Sequence, residues 1–148
     1  MGWLTQLEGK TVGLDTAPLI YFIEKHPKFH PCVRPFFLAM QRGDFEVVTS
    51  TMTLTEVLVH PIRNNNATLA ARYRDILQNA ERLRTVPFTA DIAETAAHLR
   101  ATHKIRTPDA IQVATAIAMK ADFFLTNDFT LSAVSSPTVL VLENLAAD

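Results

Sequence analysis

In IRTPDAIQVATAIAMKADFFLTND, Ile105 to Asp128, an oily helix runs into a short oily strand. Ala110, Ile111, Ala114, Ile117 and Ala118 recur at helical spacing and make a packing stripe rather than a cofactor box. The strand that follows is apolar at every position, as strands covered on both faces are. A helix leading into such a strand is part of a β-α-β unit, so the stretch predicts a parallel sheet flanked by helices. One aspartate stands near the start of the helix, Asp109, and another just past the strand, Asp128. Either both are capping and turn residues, or they meet in space and hold a cation.

The rest of the chain repeats the alternation. Thr11 to Leu14 is a short oily run that stops at Asp15 and Thr16, and Pro18 opens the helical stretch PLIYFIEK. His26 to Pro31 carries two prolines and is expected to be a loop. Val33 to Gln41 reads as a helix ending at Gly43, Phe45 to Thr49 as a strand, and Thr53 to Val59 as a short helix stopping before Pro61. Asn64 to Asn66 form a turn before a helix from Thr68 to Leu83, with Tyr73, Ile76, Leu77, Ala80 and Leu83 on one face. Another helix spans Ala90 to His103, and Thr138 to Leu142 is a last strand. The expected fold is a three-layer α/β/α domain over residues 1–148, with a short parallel sheet of four or five strands and helices on both faces.

The composition narrows the function classes. Hydrophobic residues make up 48% and charged residues 20% of 148, which suits a globular protein able to bury a core without staples. No apolar run approaches the roughly 20 residues that cross a bilayer, and MGWLTQLEGK is unlike a signal peptide. The single cysteine, Cys32, allows no internal disulfide, so a cytoplasmic location without a membrane is expected. Fourteen Lys and Arg against fifteen Asp and Glu do not advertise a nucleic-acid binder. Five histidines show no zinc spacing, since prolines interrupt the segment between His26 and His30. Gly9-Lys10-Thr11 lacks the leading glycine of a P-loop and precedes its strand instead of following it. LDTAP, Leu14 to Pro18, has Ala17 where haloacid-dehalogenase phosphatases carry their second aspartate.

Four acids share a position in the pattern. Asp15, Glu56 and Asp128 lie just beyond the carboxyl ends of predicted strands, and Asp109 starts the helix that leads into one. Each has an ordinary structural role open to it: Asp15 as a cap, Glu56 in the capping box TLTE, Asp109 in a first turn behind cap Thr107 and Pro108, Asp128 in a turn. Together they stand at the sheet edge where loops of an open parallel sheet converge and ligands bind. Carboxylates gathered there repel, and either share protons or take up a cation. Oxygen ligands without Cys or His suit Mg²⁺ or Mn²⁺.

Three stretches, GLDTAPLIYFIE, TSTMTLTEVLVHP and TPDAIQVATAIAMKADFFLTND, give the chain its likeness to a family. In that order and spacing the chain resembles PIN-domain proteins, and most of all the toxin ribonucleases of VapBC toxin–antitoxin modules. The resemblance spans nearly the whole chain. It implies a PIN-like fold and puts the family's acids on Asp15, Glu56, Asp109 and Asp128, with Thr16 and Asn127 in support. Ala17-Pro18 departs from the family, which often has Ser or Asn followed by a hydrophobic residue.

The resemblance implies metal-dependent hydrolysis of RNA. A phosphodiester is repelled by an acidic pocket, and a divalent ion can bridge the two while activating water. Asp15 and Asp109 are the expected principal ligands, Asp128 a further one, and Glu56 the residue for a second ion or the attacking water. Setting four acids aside from a net charge of −1 leaves +3 for the remainder. Lys104 and Arg106 flank the acidic edge, and Arg42, Arg63 and Lys120 are further candidates for phosphate contacts. The implied partners are RNA, a cognate protein antitoxin and a second copy in a homodimer. The groove for a partner helix is expected from Pro18 to Lys25 and the helices between Thr53 and Leu83, and the dimer contact on helices such as Ala110 to Lys120. Two alternatives stay open: a housekeeping RNA-processing nuclease, and a non-catalytic member of the fold that only binds RNA or protein.

Overall fold

The computed structural model of the chain describes residues 2–145. After a 3-10 turn (Gly2–Leu7), the order is β1 (Thr11–Leu14), α1 (Thr16–Ile23), α2 (His30–Arg42), β2 (Glu46–Ser50), α3 (Thr51–Arg63), α4 (Ala67–Asn79) and β3 (Leu83–Val86). There follow α5 (Ala90–Thr102), α6 (Thr107–Ala118), β4 (Phe123–Thr126), a 3-10 turn (Phe129–Ala133), β5 (Thr138–Val141) and α7 (Leu142–Leu145). The five strands form one parallel sheet in the order β3-β2-β1-β4-β5. The strand order reverses direction at β1, so the crevice between the carboxyl ends of β1 and β4 is the topological switch point.

Strand alternation assigns the layers. Val12 and Leu14 of β1, Val47 of β2 and Leu125 of β4 belong to the core beneath α1 to α4, with Leu19, Phe36, Phe37 and Tyr73. Val48 and Phe124, one residue out of phase, face the second core beneath α5 and α6, with Ile92, Leu99, Ala110 and Val113. This is the expected α/β/α sandwich. Residues 110–116 of α6 are all buried, so that face of the helix is closed to a second copy of the chain.

Gly13 lets α6 lie directly on β1. A Cβ there would stand 2.7 Å from the Ala116 Cβ and 2.9 Å from the Phe124 Cδ1. Overpacking of this kind costs typically about 1–3 kcal/mol. Gly13→Ala is therefore expected to lower the midpoint of denaturant unfolding with little change in slope.

Several boundaries differ from the sequence reading. The helix expected to reach Leu83 ends at Asn79, and Leu83 instead opens a strand that pairs with β2 in the register Val47↔Leu83 through Ser50↔Val86. The Thr85 hydroxyl donates to the Leu77 carbonyl at 2.6 Å, satisfying the end of the helix that was left behind. His30 and Pro31 belong to α2 rather than to a loop, because proline is tolerated in the first turn of a helix. Helix α3 continues through Pro61 to Arg63, forgoing the backbone hydrogen bond that residue 61 would donate to the preceding turn. It also starts earlier than expected: Ser50 is its cap, accepting from the Met52 N–H at 3.0 Å.

Candidate active site

Four elements bring the acids to the carboxyl edge of the sheet. Asp15 is both the residue after β1 and the cap of α1. Its backbone N–H extends the β1–β4 ladder to the Leu125 carbonyl, while its side chain is held from two sides. Oδ1 accepts from the Thr16 N–H at 2.9 Å, and Oδ2 accepts from the Thr126 hydroxyl at 2.7 Å. The side chain therefore spans the switch point between β1 and β4. Burial pushes its carboxyl up to about 6 from 3.8; the two hydrogen bonds pull the other way, and the charges of Asp109 and Glu56 add to the rise. The fold thus opposes the ionisation of Asp15.

The capping-box reading of Glu56 does not hold, because α3 starts two residues before Thr53. Glu56 falls in the second turn of α3, solvent-facing, with Oε1 accepting from the Thr16 hydroxyl at 2.6 Å. Thr53 turns inward, where it is fully buried between Thr49, Thr16 and Gln112.

Asp109 occupies the first turn of α6, but Thr107 is not the cap. Arg106 is, without a side-chain cap bond, and Pro108 stands one position further in than expected. The Thr107 hydroxyl instead accepts from Arg100 at 2.9 Å. Asp109 is buried, and its Oδ2 accepts from Nε of the exposed Arg106 at 3.2 Å. The charge of Asp109, and more weakly those of Asp128 and Glu56, hold the Arg106 guanidinium above its ordinary pKa. That one cation thus lies in the field of three of the four acids, while Asp15 lies in the field of Asp109 and Glu56.

Asp128 keeps its turn role. It caps the 3-10 turn Phe129–Ala133, with Oδ1 accepting from the Thr130 N–H at 2.9 Å and hydroxyl at 2.7 Å. Asn127 is a brace: its amide donates to the Tyr21 hydroxyl at 3.3 Å, and its Oδ1 accepts from the Glu143 N–H at 3.0 Å.

The donor set is made of hard carboxylate oxygens alone, which suits Mg²⁺ or Mn²⁺. A desolvated carboxylate facing two others gains most from a cation nearby. Among the described residues, no three acidic, histidine or cysteine side chains are drawn together as a ligand cluster. The acids surround the crevice as electrostatic neighbours, with Arg106 supplying positive charge. The chemistry of the donors fits a divalent ion.

Of the cations named from sequence, Lys104 and Arg106 adjoin α6 at the acidic edge and are exposed. Arg42 and Lys120 precede β2 and β4, at the amino edge of the sheet, and Arg42 is paired with Asp44 at 2.7 Å. Neither can serve the crevice. Two residues escape the sequence reading: Thr126, which donates to Asp15, and Gln112, which donates to Thr16 and Thr53. Thr126 reads as the last residue of an oily strand, and Gln112 lies between the packing residues Ile111 and Ala114. The signal for Gln112 was its spacing from Asp109, three residues along the same helix face.

A family model described as PIN domain matches residues 12–136. No curated protein matches the chain in sequence. Among solved structures, VapBC2 from Rickettsia felis, bound to a promoter DNA fragment, is similar at TM-score 0.68 and 20% identity, over 88% of this chain and 98% of that one. VapC20 from Mycobacterium tuberculosis, a sarcin–ricin loop cleaving toxin, is similar at TM-score 0.69 and 19% identity, over 84% and 95%. A toxin–antitoxin complex from Klebsiella pneumoniae is similar at TM-score 0.64 and 23% identity, over 89% and 97%.

Proposed function

Because this chain belongs to the PIN domain family, we propose that it is a metal-dependent endoribonuclease, the toxin of a type II toxin–antitoxin module. The observation that carries the reading is Asp15: a buried carboxylate, clamped at the switch point by Thr16 and Thr126, in the field of Asp109 and Glu56. A carboxylate kept there against its own desolvation is explained by a cation that it serves. Similarity to solved toxins of VapBC modules supports the substrate class.

Asp15 and Asp109 would hold a Mg²⁺ or Mn²⁺ ion, with Asp128 and Glu56 completing its surroundings. When bound, the ion supplies charge neutralisation for the phosphodiester and lowers the pKa of water. The chain's own residues do the rest. Thr16 and Thr126 fix Asp15 at the switch point, each through one of its oxygens. Glu56 has one oxygen occupied by the Thr16 hydroxyl, and its other oxygen can accept a proton from, and so orient, the attacking water. Arg106 and Lys104 offer positive charge to flanking phosphates.

The implied partners are an antitoxin and a second copy of the chain. The groove between α1 and α4, about 410 Å³ and lined by Ile23, Lys25, Leu69 and Arg72, is the candidate antitoxin surface. No helix among the described residues is long and apolar enough to cross a membrane.

The test is cleavage of a structured RNA by the purified protein. Cleavage is expected with millimolar Mg²⁺ or Mn²⁺ and none with EDTA, and the metal should raise the melting temperature of the wild type. Cleavage that survives EDTA, or no cleavage and no melting shift with either metal, would overturn the reading.

A further inference from the structure

We propose that Gln112 is a positioning residue for the candidate active site, one that aims the Thr16 hydroxyl at Glu56 and locks three acid-bearing helices in register. The inference rests on the metal-dependent reading above and extends it to a residue outside the acidic set.

Gln112 is 2% exposed, on the inner face of α6 one turn beyond Asp109. Its Nε2 donates to the Thr53 hydroxyl oxygen at 2.7 Å and to the Thr16 hydroxyl oxygen at 3.1 Å, so both amide hydrogens are used. Thr16 begins α1 beside Asp15, and Thr53 lies on α3 three residues before Glu56. One side chain thus ties together the helices that carry Asp109, Asp15 and Glu56.

The protons in the network have one consistent arrangement. The Thr49 hydroxyl donates to the Leu14 carbonyl at 2.7 Å. Thr49 then has only lone pairs to offer Thr53, 2.7 Å away, so the Thr53 hydroxyl must donate to it. Thr53 cannot also donate to Thr16, and the Thr16 hydroxyl has its shortest acceptor in Glu56 at 2.6 Å. Gln112 fills the lone pairs of both threonines and leaves each proton a single destination. The flipped amide would set its oxygen against two hydroxyl oxygens whose protons are already committed.

Gln112 Oε1 has no hydrogen-bond partner although it is buried. A purely structural residue here would be better replaced by a similar apolar one, because an orphaned buried acceptor opposes folding. The retained cost is explained by the two bonds that Nε2 makes toward the acids.

The test is Gln112→Met, which keeps the volume and removes both donors and the orphan acceptor. Its metal-free melting temperature is expected to stay within a few degrees of the wild type. The Mn²⁺ concentration giving half of the melting shift should rise about tenfold or more, as loss of an outer partner does in other metal sites. RNA cleavage should fall in parallel, and Gln112→Met should add little to Thr16→Val, because both break the same path. In the metal-free wild type the Gln112 side-chain amide protons should exchange slowly with solvent. Unchanged Mn²⁺ dependence and cleavage in a folded Gln112→Met, additive effects with Thr16→Val, or fast amide exchange would overturn the inference. A wild type that fails to respond to metal would instead defeat the ribonuclease reading, and this inference with it.

Discussion

Asp15→Asn is expected to abolish RNA cleavage while leaving the metal-free protein at least as stable as the wild type at neutral pH. The side chain is buried, and burial raises its carboxyl from 3.8 to about 6. A folded-state pKa above the unfolded value means that the folded protein prefers Asp15 protonated. That preference stabilises the fold fully below pH 3.8 and is lost as pH rises through about 6, where the wild type must bury a charge. About two pKa units correspond to roughly 3 kcal/mol as an upper bound on what removing the charge can return. Asparagine keeps an acceptor for the Thr16 N–H but presents an amide to the Thr126 hydroxyl, so the gain will fall short of that bound. Melting curves in EDTA from pH 4 to pH 8 check the sign: the variant should gain on the wild type as pH rises. Since a ligand must be ionised to bind metal, Mn²⁺ affinity of the wild type should weaken as pH falls through the same range. A variant that cleaves RNA normally, or one whose stability relative to wild type falls as pH rises, would show that Asp15 is only a cap.

The second large effect is expected at Asp109. Asparagine keeps an acceptor for the exposed Arg106 at position 109 and turns nearly as well as aspartate at position 128, so Asp109→Asn and Asp128→Asn should each cost about 1 kcal/mol or less in stability. Their effects on cleavage should separate. Asp109 is buried on a helix seated directly on β1 over Gly13 and has little room to adjust. Cleavage by Asp109→Asn should fall on the order of 10²-fold or more, the size of loss seen when one electrostatic stabiliser is removed from an active site. Asp128 sits on a turn that it caps itself, so Asp128→Asn should be the milder of the two. Initial rates on a structured RNA, with circular dichroism confirming the fold, decide the matter. Full activity in Asp109→Asn would leave the pair with a structural role only.

Much of the fold is legible in the sequence. Oily strands alternating with helices announced a parallel sheet covered on both faces, because the burial of each strand is written in its own residues. Gly43 marked the end of α2 correctly, since its left-handed φ of 86° is a local requirement. The four acids could be assigned to one edge of the sheet because chain direction alone places every strand's carboxyl end there.

What depended on contacts distant in sequence stayed hidden. Leu83 looks like the last residue of a helix begun at Thr68, and only pairing with β2 makes Leu83–Val86 a strand. TLTE looks like a capping box, yet the competing cap at Ser50 shifted α3 and freed Glu56 to accept from Thr16, forty residues away. Cations called to the crevice by composition divide by sheet edge, which places Arg42 and Lys120 at the far side. Residue types and periodicity determined the layers, the sheet direction and which acids could meet. Tertiary structure alone decided how Asp15 and Glu56 are held, because the desolvation of Asp15, the Thr126 hydroxyl on Asp15 and the Thr16 hydroxyl on Glu56 exist only when separate segments pack together, whereas Arg106 and Thr130 hold Asp109 and Asp128 locally.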